Sequence, residues 1–188
     1  MITKRIWLAI PILLLPYLAL LTLATIFLST KSAFFNRVME SVFYGNALYL
    51  IATFLIYCLL VAVLSAVCFI VSIHKKWDAF SLAKFFMIVK LLQIPSYALI
   101  FVLGVLFSIT IFTIPFSIAL IFVDYVSLIL SGLGVISAVI NTIRQGVFNK
   151  KEVLWLLIAQ FFFCIDVVAA MILYKKLKNL KTVPPKHG

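Results

Sequence analysis

A chain of 188 residues that is 66% hydrophobic and 11% charged is not an ordinary soluble domain, because such domains are about half apolar and one quarter charged. A larger core cannot absorb the excess, since a chain of this length still needs a polar surface. The net charge of +11 comes mainly from basic residues at the ends of apolar runs, which is typical of membrane spans and argues against nucleic-acid binding. We therefore predict an all-α integral membrane protein whose first partner is the lipid bilayer.

The first apolar segment covers residues 6–28 and contains Pro11 and Pro16 but no charge. Its length exceeds the apolar region of a cleaved signal peptide, which is about 7–15 residues. We predict an uncleaved span that bends near its prolines. Residues 29–41 are predicted to be a loop, and a second span covers about residues 43–73. The charged turn from His74 to Asp78 follows it and includes an aromatic anchor, Trp77.

The longest apolar run covers residues 91–143 and holds a single formal charge, Asp124. One crossing takes roughly 20 residues, so this run predicts two crossings joined by a turn at Thr113 and Pro115. Residues 144–152 form a polar link, and residues 153–174 are predicted to be a fifth span. The prediction is a bundle of five transmembrane helices with short loops.

In this prediction residues 1–174 form one membrane domain, residues 175–188 form a basic, disordered tail, and the two termini lie on opposite faces. Eight basic residues then lie on the side of the N-terminus and seven on the other side, so the positive-inside rule assigns no orientation. If the tail faces the cytoplasm, its lysines are expected to contact anionic lipid headgroups. The lysines meant are Lys175, Lys176, Lys178 and Lys181.

Polar and small residues recur on one face of the third and fourth helices. These rows favour helix packing over a polar path, because small residues let helices approach closely. The third helix presents Lys90, Gln93, Tyr97, Gly104 and Ser108, and the fourth presents Ser117, Asp124, Ser127, Ser131, Gly134, Ala138 and Asn141.

Charged side chains at membrane depth are a stronger indication of function, because each costs at least about 2.5–3.5 kcal/mol at mid-membrane. Function and structural assembly explain Asp124 and Asp166 equally well. We predict that Lys90 and Asp166 neutralise one another, with snorkelling of Lys90 to the interface as the alternative. The candidate substrate-binding residues are Lys90, Gln93, Gln160, Asp166 and Asp124. No catalytic motif, metal site or cofactor site is predicted.

Four stretches resemble a family of small membrane proteins from Gram-positive bacteria to which no activity is assigned. They are the runs from Lys90 to Tyr97, from Thr110 to Ser117, from Leu130 to Leu133 and from Gln160 to Asp166. The resemblance implies a multi-pass protein of the bacterial plasma membrane and assigns no functional residue.

Two functions are equally supported at this point. The first is a small transporter or channel-like protein with a polar site between the third and fifth helices, which would need an oligomer or a partner to enclose enough volume. The second is an accessory, regulatory or immunity-type protein that docks on another membrane protein. An intramembrane enzyme is the weakest hypothesis, because the chain has no HExxH, GxSxG or GxGD motif.

Overall fold

The computed structural model describes residues 10–144, 150–162 and 165–182, except for the side chains of Lys150, Lys181 and Thr182. Every regular element in these ranges is helical, which confirms the all-α prediction. The helices are α1 (Ile10–Leu28), α2 (Ala33–Phe43), α3 (Ala47–His74), α4 (Ala79–Phe107), α5 (Ile114–Arg144), α6 (Lys150–Ala159) and α7 (Ile165–Thr182), with a 3-10 turn at Ile111–Thr113 before α5.

Four of the described helices, α1, α3, α4 and α5, are long and apolar enough to cross a membrane. The chain is therefore a multi-pass membrane protein by the length and composition of its helices. The turn predicted near Thr113 and Pro115 is confirmed, since α4 ends at Phe107 and Pro115 is the second residue of α5. The predicted count of five spans is wrong, because the segment predicted as the fifth is not one continuous helix.

That segment folds back on itself as a helical hairpin. Lys176 of α7 lies 2.7 Å from Glu152 in the first turn of α6, although 24 residues of straight helix would separate them by about 36 Å. Tyr174 stacks on Phe80 at the start of α4, while Asp166 contacts Lys90 ten residues further along α4. α7 therefore runs antiparallel to α4 and returns toward the end at which α4 begins.

Local hydrogen bonding explains where the chain turns. The backbone N–H groups of Gln160, Phe161 and Phe162 donate to carbonyls three residues earlier, the tight 3-10 pattern that often ends an α-helix. Asp166 then lies in the first turn of α7, where a carboxylate is favoured by the helix dipole. The ten residues of α6 are about 15 Å long, half the thickness of a hydrocarbon core.

The segment predicted as a loop at residues 29–41 contains most of a helix, α2, which begins after Ser32. The residue that follows the helix, Tyr44, has a left-handed backbone conformation. Asn36, Arg37 and Glu40 fall on one face of α2, and Phe35, the buried Met39 and Val42 fall on the other. It is therefore an amphipathic helix of the kind that lies in a membrane interface. The prediction of a loop over residues 29–41 is wrong, because the polar residues of this stretch share one face of a helix and so interrupt the apolar run without ending the helix. Asn46 then caps α3 by accepting the Leu48 N–H at 2.8 Å.

The turn between α3 and α4 satisfies its own backbone groups. The Trp77 N–H donates to the Ser72 carbonyl across Lys76, which has a left-handed φ of 47°, as in a Schellman C-cap. Asn141 of α5 donates from Nδ2 to the carbonyls of Ser72 and Trp77. Asp78 caps α4 by accepting hydrogen bonds from Ser81, so it acts as a helix cap at the predicted interfacial turn.

Packing divides the chain into two units. The first contains Leu64–Leu92 and the chain from Leu128 onward, and the second contains Pro11–Val63 and Gln93–Ser127. In the first unit the ring of Phe86 covers Gly134 of α5. The domain boundary predicted at residue 175 falls inside α7, which continues to Thr182.

The second unit has a core of aromatic and hydroxyl contacts. Phe27 stacks on Phe107 at 5.3 Å between ring centroids and meets Phe116 edge-on at 5.0 Å. Ser117 Oγ donates to the Gly104 carbonyl at 2.9 Å, so the small residues predicted on facing helices do allow a close approach of α4 and α5.

Candidate functional site

The candidate site is built on a buried ion pair between α4 and α7. Lys90 Nζ lies 2.5 Å from Asp166 Oδ2, and the two side chains are 0% and 2% exposed. This confirms the predicted pairing and excludes snorkelling of Lys90 to the interface. Asp166 reaches Lys90 because it lies at the start of the second arm of the hairpin. The prediction had placed it on a fifth membrane-spanning helix.

The depths of the two residues agree. Lys90 is eleven residues beyond the start of α4, or about 17 Å along the helix axis. Asp166 follows the turn at the end of the ten-residue α6, which spans about 15 Å. For helices that start at the membrane surface, these distances correspond to the middle of a hydrocarbon core about 30 Å thick.

Pairing offsets only part of the cost of burying these charges. Removing two ions from water costs several kcal/mol each, and an apolar pair of similar volume is often as stable or more stable. Asp166 gains additional stabilisation from its place in the first turn of α7. The arrangement can hold the two groups as an ion pair, and a proton shared between them would neutralise both.

Gln160 directly follows α6 and does not join the ion pair. Its Nε2 donates to the Leu156 carbonyl at 3.3 Å, within its own helix. Its Oε1 is buried and accepts no hydrogen bond from the part of the chain that the structure describes. Gly132 of α5 lies beside it, since a Cβ on that glycine would be 3.6 Å from Gln160 Cβ. In the described part of the chain Gln160 therefore makes no hydrogen bond to Lys90 or Asp166.

Gln93 belongs to the second unit and has a structural role as a hydrogen-bond donor to the backbone of α1. Pro16 has no N–H to donate to the carbonyl of Ile12, four residues earlier in α1. Gln93 Nε2 donates to that carbonyl at 2.9 Å and also lies 3.3 Å from Ser127 Oγ. Gln93 Oε1 accepts a hydrogen bond from the Tyr97 hydroxyl at 3.0 Å. Both ends of this amide are engaged within the protein.

Asp124 is also in the second unit and is 7% exposed. It does not belong to the same packed unit as Lys90 and Asp166. The predicted row on α5 is largely buried, and its Ser131 donates to the Leu128 carbonyl of the same helix at 3.1 Å. Such a local hydrogen bond is typical of a packed hydroxyl residue, as the packing interpretation of the row expects.

The lysines predicted to contact lipid lie at the end of α7. Lys175 and Lys178 are exposed, and Lys176 forms the ion pair with Glu152. The side chain of Lys181 is outside the described part of the chain.

Lys151, Glu152 and Trp155 line a groove at the open end of the hairpin, and the sequence predicted no site at these residues. A signal was present, since basic residues flank both ends of the segment from Val153 to Tyr174.

No family model matches the chain, and neither a curated protein nor a solved structure matches it.

Proposed function

We propose that this protein is a small transporter of the bacterial plasma membrane and that the Lys90–Asp166 pair is the ionisable centre of its polar site. The observation that carries the proposal is the burial of both charges inside the protein. Their distances along α4 and α6 correspond to the middle of a hydrocarbon core. A purely structural contact at this depth needs no charges, because apolar side chains would serve stability at least as well.

The hairpin also supports the proposal. Many transporters bind their substrates at interrupted helices, where the ends of half-helices carry partial charges at mid-membrane depth. α6 ends and α7 begins at this depth, and α7 places Asp166 in its first turn. This part of the argument is an analogy of architecture, and the chemistry rests on the ion pair itself.

The cargo supported best is a proton or a small charged solute coupled to one. Protonation of Asp166 would break the electrostatic attraction that holds Lys90, leaving a lone buried ammonium that favours a different arrangement. A pair that closes and opens in this way provides the two states that transport requires.

The test is a double-mutant cycle in a strain whose growth depends on the protein. Lys90→Met and Asp166→Asn are each expected to lower the amount of folded protein, by about 3–5 kcal/mol of stability, because each leaves a buried charge alone. The double variant is expected to regain much of that stability but not to support growth. A stable double variant that grows like the wild type would show that the pair is structural.

Reconstitution provides the second readout. Vesicles containing the wild type should acidify under an imposed potential, measured with a pH-sensitive dye, while vesicles with the double variant should behave like protein-free vesicles. Asp124→Asn is measured beside them, because sequence analysis assigns Asp124 to the same site. Loss of transport in a stable Asp124→Asn variant would extend the site to that residue.

An accessory protein that docks on a membrane partner is the second candidate. The observation that favours it is the exposure of α3. Only 11% of its most apolar stretch is buried inside the protein, whereas 50% is buried in the stretch that contains α5. Its exposed side chains include Leu55, Ile56 and Leu59. Purification in mild detergent separates the two candidates, since a partner that co-purifies in fixed ratio favours docking and a self-contained oligomer favours transport.

A further inference from the structure

A groove of about 290 Å³ lies at the open end of the α6–α7 hairpin, within the first unit. Its residues come from both arms of the hairpin and include apolar and charged side chains. They are Lys151, Glu152, Trp155 and Leu156 of α6, and Ile172 and Lys176 of α7.

The groove combines a charged rim with an apolar floor. Lys151 and Glu152 are in the first turn of α6, at the end remote from the turn of the hairpin. Leu156 is almost completely buried and forms the floor, while the Trp155 side chain is half-exposed. Trp is enriched where a membrane meets water, which places this groove at the interface on the side where the hairpin opens.

The charge at the rim is positive. Glu152 is the acidic residue of the groove and pairs with Lys176, whereas Lys151 adds a second lysine. Lys175 and Lys178 are exposed on neighbouring positions of α7. The Lys176 and Glu152 side chains are 39% and 48% exposed, and ion pairs of this exposure contribute little, so Lys176 can exchange its carboxylate partner for another anion.

We propose that this groove binds one anionic glycerophospholipid. The phosphate lies against Lys151 and Lys176, and an acyl chain follows the apolar surface of Trp155, Leu156 and Ile172. A zwitterionic lipid fits less well, because its choline group brings a positive charge to a positive rim. Inorganic phosphate fits less well, because it leaves the apolar floor uncovered. This inference is independent of the proposed transport function.

The test uses the full-length protein in detergent and measures bound lipid by native mass spectrometry during titration with phosphatidylglycerol or phosphatidylcholine. We expect one phosphatidylglycerol to bind tighter than phosphatidylcholine. Lys151→Gln and Lys176→Gln should each weaken phosphatidylglycerol binding about fivefold, and together about 25-fold, as expected for basic residues near an anionic headgroup. Binding of phosphatidylcholine should not change.

Lys84→Gln is the matched control, because Lys84 is an exposed lysine near the start of α4 that does not line the groove. It should change binding less than twofold. Glu152→Gln removes the carboxylate that competes for Lys176 and should tighten phosphatidylglycerol binding. This variant keeps the test decisive if a lysine variant folds poorly.

Three results would overturn the proposal. The first is equal binding of the two lipids, and the second is an effect of Lys84→Gln as large as that of Lys151→Gln. The third is displacement of phosphatidylglycerol by inorganic phosphate at equal concentration, which would indicate a simple anion site without an acyl-chain groove.

Discussion

At the scale of single residues, the contact between Gln93 and Ile12 shows how a polar side chain in a membrane compensates for a proline. Because Pro16 has no N–H, the Ile12 carbonyl lacks the hydrogen-bond donor of a regular helix. A bilayer core contains no water that could take the place of that donor. Gln93 supplies the missing N–H from another helix. The polar row on α4 thus includes a residue whose position is explained by the sequence of α1.

We expect Gln93→Leu to lower the free energy of unfolding by about 1–3 kcal/mol, because it leaves the Ile12 carbonyl without a donor. In a Pro16→Ala background the restored N–H of residue 16 can donate to that carbonyl, so the same substitution should cost about 1 kcal/mol less. Denaturant unfolding in detergent measures the four variants of this cycle. Losses that simply add would show that Gln93 and Pro16 are not coupled.

Gly134 is a second residue whose identity is set by a neighbour. The Phe86 ring occupies the space that a Cβ on Gly134 would need, whereas the nearest atom to a Cβ on Gly132 is at an ordinary contact distance of 3.6 Å. We expect Gly134→Ala to destabilise the protein by about 1–3 kcal/mol through overpacking. Gly132→Ala should change stability by less than about 0.5 kcal/mol. Equal thermal stability of the two variants would contradict this packing.

At the scale of elements, the hairpin of α6 and α7 is the feature that differs most from the predicted bundle of five membrane-spanning helices. Its two arms contact each other through Glu152 and Lys176, and α7 contacts α4 through the Lys90–Asp166 pair and the Phe80–Tyr174 stack. Two of these contacts lie at the open end and one lies near the turn. Together they require an antiparallel return of the chain.

In a cysteine-free background, we expect Glu152→Cys and Lys176→Cys to be joined within one chain by a short bifunctional thiol reagent, detected by mass spectrometry of the digested protein. A continuous fifth span would separate these positions by about 36 Å, beyond the reach of such a reagent. Glu152→Cys with Val168→Cys is the control, since Val168 is exposed but lies about 12 Å from Lys176 along α7. Cross-linking of the control alone would rule out the hairpin.

At the scale of the whole molecule, the hairpin changes the distribution of charge across the membrane. With four crossings, the basic residues of the described helices and turns that lie on the side where α1 ends are Lys31 and Arg37, and Lys90 is buried. Ten other basic residues of the described ranges lie on the side where α1 begins. They are Lys75, Lys76, Lys84, Arg144, Lys150, Lys151, Lys175, Lys176, Lys178 and Lys181.

An excess of ten over two among the described residues is a strong positive-inside bias, whereas the five-span arrangement had almost none. We therefore expect both termini to face the cytoplasm. Reporter fusions at Lys76 and after Gly188 should report the cytoplasmic face, and a fusion at Lys31 should report the opposite face. A C-terminal reporter that agrees with Lys31 would restore the five-span arrangement.

The sequence alone was sufficient for the class of protein and for most of its crossings. Apolar runs without charges determine helices in lipid, because every backbone group must be paired within its own segment. The pairing of Lys90 with Asp166 was also predictable, since two opposite charges at similar depth cost less together than apart.

Only the tertiary structure decided the course of residues 150–182. A span and a half-depth hairpin of this length have the same apolar composition, so hydropathy does not distinguish them. The exposed pair of Glu152 and Lys176 shows the return of the chain but contributes little to its stability. The choice depends on packing between residues far apart in sequence, as in the stack of Phe80 on Tyr174. The same is true of Gln93, whose amide is engaged by a carbonyl 81 residues earlier in the chain.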